Sequence, residues 1–397
     1  MPKPASRSYR LYGANQAEKP QFEADFQAAF PRGWELPDLL RSDSGQAVRD
    51  AAQWLLRRPE VHRHTVPLAY GEIPASPTRT VGVDLHSAVI KGLGGARLIT
   101  LRVEADGRHA FLLRVFVPDR LGPLPVVLNG DACWHYATDE VITEVLRRAY
   151  VFAQFNRVEI AADVVKNNAA ATSVATPGIS GQPGKLGGSG ESGPAAIACW
   201  AWAYHRAVDA LLGCEFVDAR AIAVVGHSRG GKAALLAGAT DERIALTSAN
   251  NSGAGGAGCF RWRAAGAEKL ADLLDNFPHW LNPALQEFAG RENALPFDQH
   301  FLKALIAPRA LLTTEALGDL WANPSGAWQT HLAAQKVYEV LGAKEQIAIA
   351  YRDGAHAHTF ADWCCFLDFA DTCFVGIKAL PAPPPGSTTH TRSRGRA

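Results

Sequence analysis

The chain has 397 residues, 47% of them hydrophobic and 20% charged, with a net charge of +1. It is long and apolar enough to bury a large core, and its near-neutral balance gives no argument for a nucleic-acid or acidic-membrane partner. Seven cysteines (Cys133, Cys199, Cys214, Cys259, Cys364, Cys365 and Cys373), odd in number and without C-x-x-C spacing, argue against a disulfide framework or a zinc site. No apolar run approaches bilayer-spanning length. The first twenty residues hold Lys3, Arg7, Arg10, Glu18 and Lys19 with no apolar stretch, so no secretory signal is expected and a cytoplasmic address follows.

In chain order, residues 1–33 are polar and aperiodic and are expected to form a poorly ordered arm. Residues 34–380 read as one catalytic domain. Within it, Arg97–Glu104 and Ala110–Val117 predict an antiparallel pair turning at Asp106 and Gly107. Leu124–Leu128 predicts a buried strand, Val141–Arg148 a helix and Val151–Phe155 a strand. Asn167–Pro194 is rich in Gly, Ala and Ser and predicts a long loop. Ala195–Leu212 predicts a helix, Ala221–Val225 a strand and Gly231–Ala239 a helix. Ile306–Thr314, broken at its start by Pro308, and Ile347–Tyr351 predict strands, with helices over Gly326–Leu341 and Asp362–Lys378. Residues 381–397, PAPPPGSTTHTRSRGRA, predict a disordered tail. Strands alternating with helices imply parallel pairing and a three-layer α/β sheet, with chemistry at the carboxyl ends of the strands.

The sharpest local signal is Gly226-His-Ser-Arg-Gly230, a G-x-S-x-G string between the strand and helix just named. A tight strand-to-helix turn of this kind presents Ser228 as a nucleophile and marks the α/β-hydrolase fold. The Arg229 amide, at the helix start, is a natural oxyanion donor. Loop Asn129–Ala132 is expected to supply a second. In this fold the acid and then the histidine follow the serine. His356 and His358 both lie past the last strand. Asp319 lies in the loop after Ile306–Thr314, and Glu315, nearer the strand, is its rival.

These residues resemble the glucuronoyl esterases over roughly residues 34–378. The resemblance rests on G-H-S-R-G-G-K at 226–232, N-N-S-G-A-G-G at 250–256, N-F-P-H-W at 276–280, P-F-D-Q-H at 296–300, G-D-L-W-A-N-P at 318–324 and H-A-H-T at 356–359. It implies that Arg229 assists the oxyanion, that Lys232 contacts sugar hydroxyls and that Trp321 lines the sugar site, with Trp134 a weaker candidate. Fungal members carry H-x-H-C, the Cys bonded to a Cys before the nucleophile and the catalytic His directly preceding it. Here His227 and Thr359 stand in those cysteine positions, and the register implies His358 as base. The fungal acid position holds Asn251, whereas many bacterial members resemble this chain in carrying an acid after the later strand, at Asp319.

The expectation is therefore an α/β-hydrolase three-layer sandwich with a mostly parallel sheet and a short antiparallel N-terminal extension. Ser228, His358 and Asp319 would form the triad, with Arg229, Lys232 and Trp321 at the oxyanion and substrate. The substrate would be a small or oligosaccharide uronate ester, with no cofactor, metal, nucleic acid or membrane partner. The alternatives are an acetyl-xylan or general carboxylesterase, or a non-catalytic carbohydrate-binding relative.

Overall fold

The structure, a computed structural model, describes residues 10–13, 35–163 and 193–378. Among the described residues, ten strands form one sheet: β1 (Arg10–Gly13), β2 (Thr80–Ile90), β3 (Ala96–Ala105), β4 (Arg108–Val117), β5 (Leu124–Asn129), β6 (Val151–Phe155), β7 (Val217–His227), β8 (Leu246–Asn250), β9 (Ala310–Ala316) and β10 (Ile347–Arg352). Their order is β1-β10-β9-β8-β7-β5-β6-β4-β3-β2. The run from β10 to β6 is parallel, and β4, β3 and β2 extend it antiparallel. The β3–β4 turn falls at Asp106 and Gly107, both at positive φ (49° and 74°), which a two-residue hairpin of this twist requires.

Among the described residues, eight helices cover the sheet: α1 (Ala51–Tyr70), α2 (Asp139–Arg147), α3 (Ala196–Leu212), α4 (Arg229–Thr240), α5 (Leu270–Asn276), α6 (Gln299–Ala304), α7 (Pro324–Val340) and α8 (Phe360–Lys378). Side chains alternate across a strand. In β5, Val126 and Leu128 therefore join the core beneath α1, α3, α4 and α7, while Val127 joins a second core beneath α2 and α8. Helix α3, apolar nearly all round, is buried nearly all round. The result is the three-layer α/β-hydrolase sandwich, with the antiparallel extension at one edge.

Two differences from these expectations stand out. Residues 10–13 are not part of a loose arm: they pair with β10, from Arg10 opposite Tyr351 to Gly13 opposite Ala348. The other residues of 1–33, residues 167–192 of the Gly-rich loop and the tail 381–397 lie outside the described residues. The strand expected to be broken at Pro308 begins at Ala310, after a turn in which the Arg309 amide donates to the Ile306 carbonyl at 3.0 Å. Strand β8 was not anticipated: its sequence, LTSAN, is short and half polar, and only its place between β7 and β9 buries every residue.

Candidate active site

Ser228 sits between β7 and α4 at φ 54°, ψ −123°, a conformation an L-residue adopts only under constraint. Two close approaches impose it. A Cβ on Gly226 would lie 2.2 Å from the Gly230 carbonyl oxygen, and one on Gly230 would lie 1.9 Å from Asp131 Oδ1. Both glycines of the elbow are therefore sterically required. The turn is pinned by the Ser228 amide donating to the Asn250 carbonyl at 2.8 Å and the His227 amide donating to Asp131 Oδ2 at 2.9 Å. Asp131 is buried and also accepts from the buried Arg157 guanidinium.

The loop Asn129–Ala132, expected to supply an oxyanion donor, has two of its amides engaged within the fold. The Gly130 amide donates to the Tyr204 hydroxyl at 2.8 Å and the Asp131 amide to Asn129 Oδ1 at 2.9 Å. Neither of these two amides is left to bind an oxyanion, and Asp131 braces the elbow through the His227 amide. The Arg229 amide, at the first helical position, has no intrahelical acceptor and stays available.

The candidate acid and base lie in the loops after β9 and β10. Asp319 Oδ2 accepts from His356 Nδ1 at 2.6 Å. Asp319 is buried and its other oxygen accepts from the Ala322 amide, whereas the His356 side chain is 43% exposed. His356 also packs beside the residue preceding the nucleophile, its ring centroid 4.6 Å from that of His227. Asp319 is thus bonded to His356 and not to His358, the histidine expected to face it. His358 is buried, stacked on Trp363 at 4.6 Å and parallel to His227 at 5.5 Å, and its Nδ1 has no hydrogen-bond partner among the described residues. Burial pulls its pKa down to about 4, against the opposing charge of Asp362. Thr359 sets this arrangement by capping α8. Its amide and hydroxyl both donate to Asp362 Oδ2 at 2.6 Å, which turns the preceding His358 inward.

Glu315, the rival acid, is fully buried and neither of its carboxyl oxygens has a hydrogen-bond partner among the described residues. Burial pushes its carboxyl well above the usual range. Asn251, at the fungal acid position, bridges the two functional loops: its Oδ1 accepts from the Ala316 amide at 2.8 Å and its Nδ2 donates to the Ala357 carbonyl at 3.5 Å.

Beside the elbow, the Arg229 guanidinium donates to Asp163 Oδ2 at 3.0 Å. Lys232 is buried, its ammonium donating to the Ser252 carbonyl at 2.7 Å, to the Ala254 carbonyl and to Glu268 Oε2 at 3.4 Å. With all three donors engaged, it holds Glu268 rather than presenting a free ammonium. Trp321 is about half exposed and donates from Nε1 to Glu268 Oε1 at 3.2 Å. Glu268 was not singled out from the sequence; only the folded chain brings it between Lys232 and Trp321. Among the described residues no group of His, Cys, Asp and Glu could hold a metal ion.

A family model described as fungal glucuronyl esterase matches residues 103–342. A carbohydrate esterase, MZ0003, from an unknown prokaryotic organism is 30% identical over 403 residues, covering 88% of this chain and 92% of that protein. The chain belongs to the glucuronoyl esterase family. A 4-O-methyl-glucuronoyl methylesterase from Podospora anserina is 29% identical, covering 82% of this chain and 64% of its own length. The solved glucuronoyl esterase of Solibacter usitatus superposes with a TM-score of 0.74 at 28% identity, over 88% of this chain and all of that one. A glucuronoyl esterase of carbohydrate esterase family 15 from Caldicellulosiruptor kristjansonii gives 0.72 at 29% identity, over 93% and 97%. The glucuronoyl esterases are serine carbohydrate esterases, and this chain is one of them.

Proposed function

We propose that this chain hydrolyses esters of a glucuronic acid through Ser228, His356 and Asp319. The observation that carries the assignment is the 2.6 Å bond between Asp319 and His356, whose ring lies beside the constrained serine elbow. His356 Nε2 takes the proton from Ser228 Oγ as that oxygen attacks the ester carbonyl. Asp319 holds the Nδ1–H tautomer and stabilises the imidazolium. The oxyanion forms against the Arg229 amide and guanidinium. His356 returns the proton to the departing alcohol, then takes one from the water that cleaves the acyl-enzyme. On the other side, the Glu268 carboxylate, oriented by Lys232, and the face of Trp321 suit the hydroxyls and C–H surface of a pyranose.

A substrate panel tests this. Benzyl glucuronate should be cleaved with a kcat/KM at least about a hundredfold above that for nitrophenyl acetate, and Ser228→Ala should lower kcat by about four to six orders of magnitude. Preference for acetylated xylan would assign an acetyl esterase instead. A cytoplasmic address is proposed on the same footing, supported by the seven free thiols; recovery in the periplasmic or secreted fraction would refute it.

A further inference from the structure

An arginine following the nucleophile must be held to be of use. Its side chain has many rotamers to lose, and an unrestrained guanidinium at a pocket mouth turns to water. Arg229 is held on several sides. Its Cζ lies 4.7 Å from the Trp280 ring centroid and 5.3 Å from each of Phe277 and Trp134. Phe277 and Trp280 are themselves stacked at 3.7 Å and 4°. Asp163 completes the enclosure. Its side chain is 3% exposed; Oδ2 accepts from Arg229 at 3.0 Å, and Oδ1 accepts from Trp280 Nε1 at 2.9 Å with His279 Nε2 at 3.4 Å. Burial alone would raise this carboxyl. The bonds from His279 and Trp280, with the charge of Arg229, outweigh burial and hold it well below the usual carboxylate range.

We propose that Asp163, acting with the ring box of Trp134, Phe277 and Trp280, is the positioning residue that fixes the Arg229 guanidinium for the oxyanion. Trp280 stacks on the cation and donates to its counter-ion, so one indole fixes both partners. Asp163 takes a single N–H of Arg229 in the hydrogen bond observed, and a guanidinium carries five. The others remain for the developing charge. A donor already in place costs no reorganisation when that charge appears.

The proposal rests on the oxyanion role of Arg229, and the test separates the two. Asp163→Asn, Arg229→Ala and the double variant are assayed on benzyl glucuronate, with Tm recorded for each. Arg229→Ala should lower kcat about a hundredfold or more. Asp163→Asn keeps an acceptor for Trp280 and should lower kcat about ten- to fiftyfold with KM within about threefold. In the Arg229→Ala background it should cost less than about threefold, since its target is gone. Full kcat in Asp163→Asn alongside a loss in Arg229→Ala would overturn the positioning role alone. Full kcat in Arg229→Ala would overturn the oxyanion reading itself. Equal losses from Asp163→Asn in both backgrounds would make it a merely structural residue. Trp134→Leu alters a half-exposed side chain and is read by the same cycle if Asp163→Asn does not fold. A kcat loss silent in the Arg229→Ala background supports the box, and an undiminished one refutes it.

Discussion

Two histidines one residue apart face different surroundings, and that difference underlies the roles proposed for them. His356 is accessible and tied to a buried carboxylate, while His358 lies within the domain against Trp363. His356→Ala should therefore lower kcat by about four to six orders of magnitude, and Asp319→Asn by about four, the usual cost of a mis-set tautomer. His358→Ala should leave most of the rate while lowering stability by about 2 kcal/mol through lost packing. Steady-state kinetics and urea unfolding on the three variants check this. A larger rate loss in His358→Ala than in His356→Ala would return the base to His358. The placement of Ser228 and Asp319 just past strand ends was legible in the sequence because the period and position of each strand are visible. Which histidine faces Asp319 was not, because it depends on which way the loop turns. A local signal existed: Thr359-x-x-Asp362 is a capping pattern that starts α8 at Phe360 and draws its approach inward.

At the scale of the element, the base loop after β10 hangs on one buried ion pair. Arg352 Nε donates to Asp362 at 3.0 Å, and its NH2 group donates to the Ala357 carbonyl at 2.8 Å. Asp362 also accepts from Asn250 Nδ2 at 2.9 Å, which links the loop to the strand beside the elbow. Opposite, the Gly318 amide donates to the Gly354 carbonyl at 2.9 Å, and a Cβ on Gly318 would come within 2.5 Å of that oxygen. Acid loop and base loop are thus fastened to each other before substrate arrives. Asp362→Ala leaves the Arg352 charge buried and unpaired, so a loss of about 3–5 kcal/mol is expected. Activity should fall with it as the His356 loop loosens. Denaturant midpoints with an unchanged m-value would report the loss, and a loss under 1 kcal/mol would show the pair to be dispensable. The long periodic elements around this loop were legible to within a few residues. Helix α1 was not, since Pro59 and Pro67 interrupt its pattern, and it survives because Asp50 caps its start and Trp54, Val61 and Val66 are buried. Strand β2 was missed for a related reason: its outer-edge position leaves most of its residues partly or fully exposed, so no buried face marks it.

Across the whole molecule, several histidines are folded away neutral. Burial pulls His331 to about 3, with the Lys303 charge acting the same way, and pulls His205, His300 and His358 to about 4. A histidine whose folded pKa is depressed binds its proton in the unfolded chain first. Its contribution is fully present above about pH 6.5 and is lost as pH falls from there toward the folded value. Glu315 works in the opposite sense. Its raised carboxyl favours the folded state below the unfolded carboxylate pKa, and that contribution is lost as pH rises toward the raised value. The total stability profile therefore mixes signs, and a single-site comparison isolates one. His331 is buried and stacked on Trp328 at 5.6 Å and 20°, so His331→Phe keeps a ring in place without a titratable nitrogen. Urea unfolding of both proteins between pH 7.5 and 4.5 should show parallel stability above pH 6.5. Below it the native protein should lose up to about 1.4 kcal/mol per pH unit relative to the variant, or about 2–3 kcal/mol by pH 4.5. A constant difference across the whole range would mean that His331 accepts a proton in the folded state as readily as in the unfolded one, and that burial does not keep it neutral.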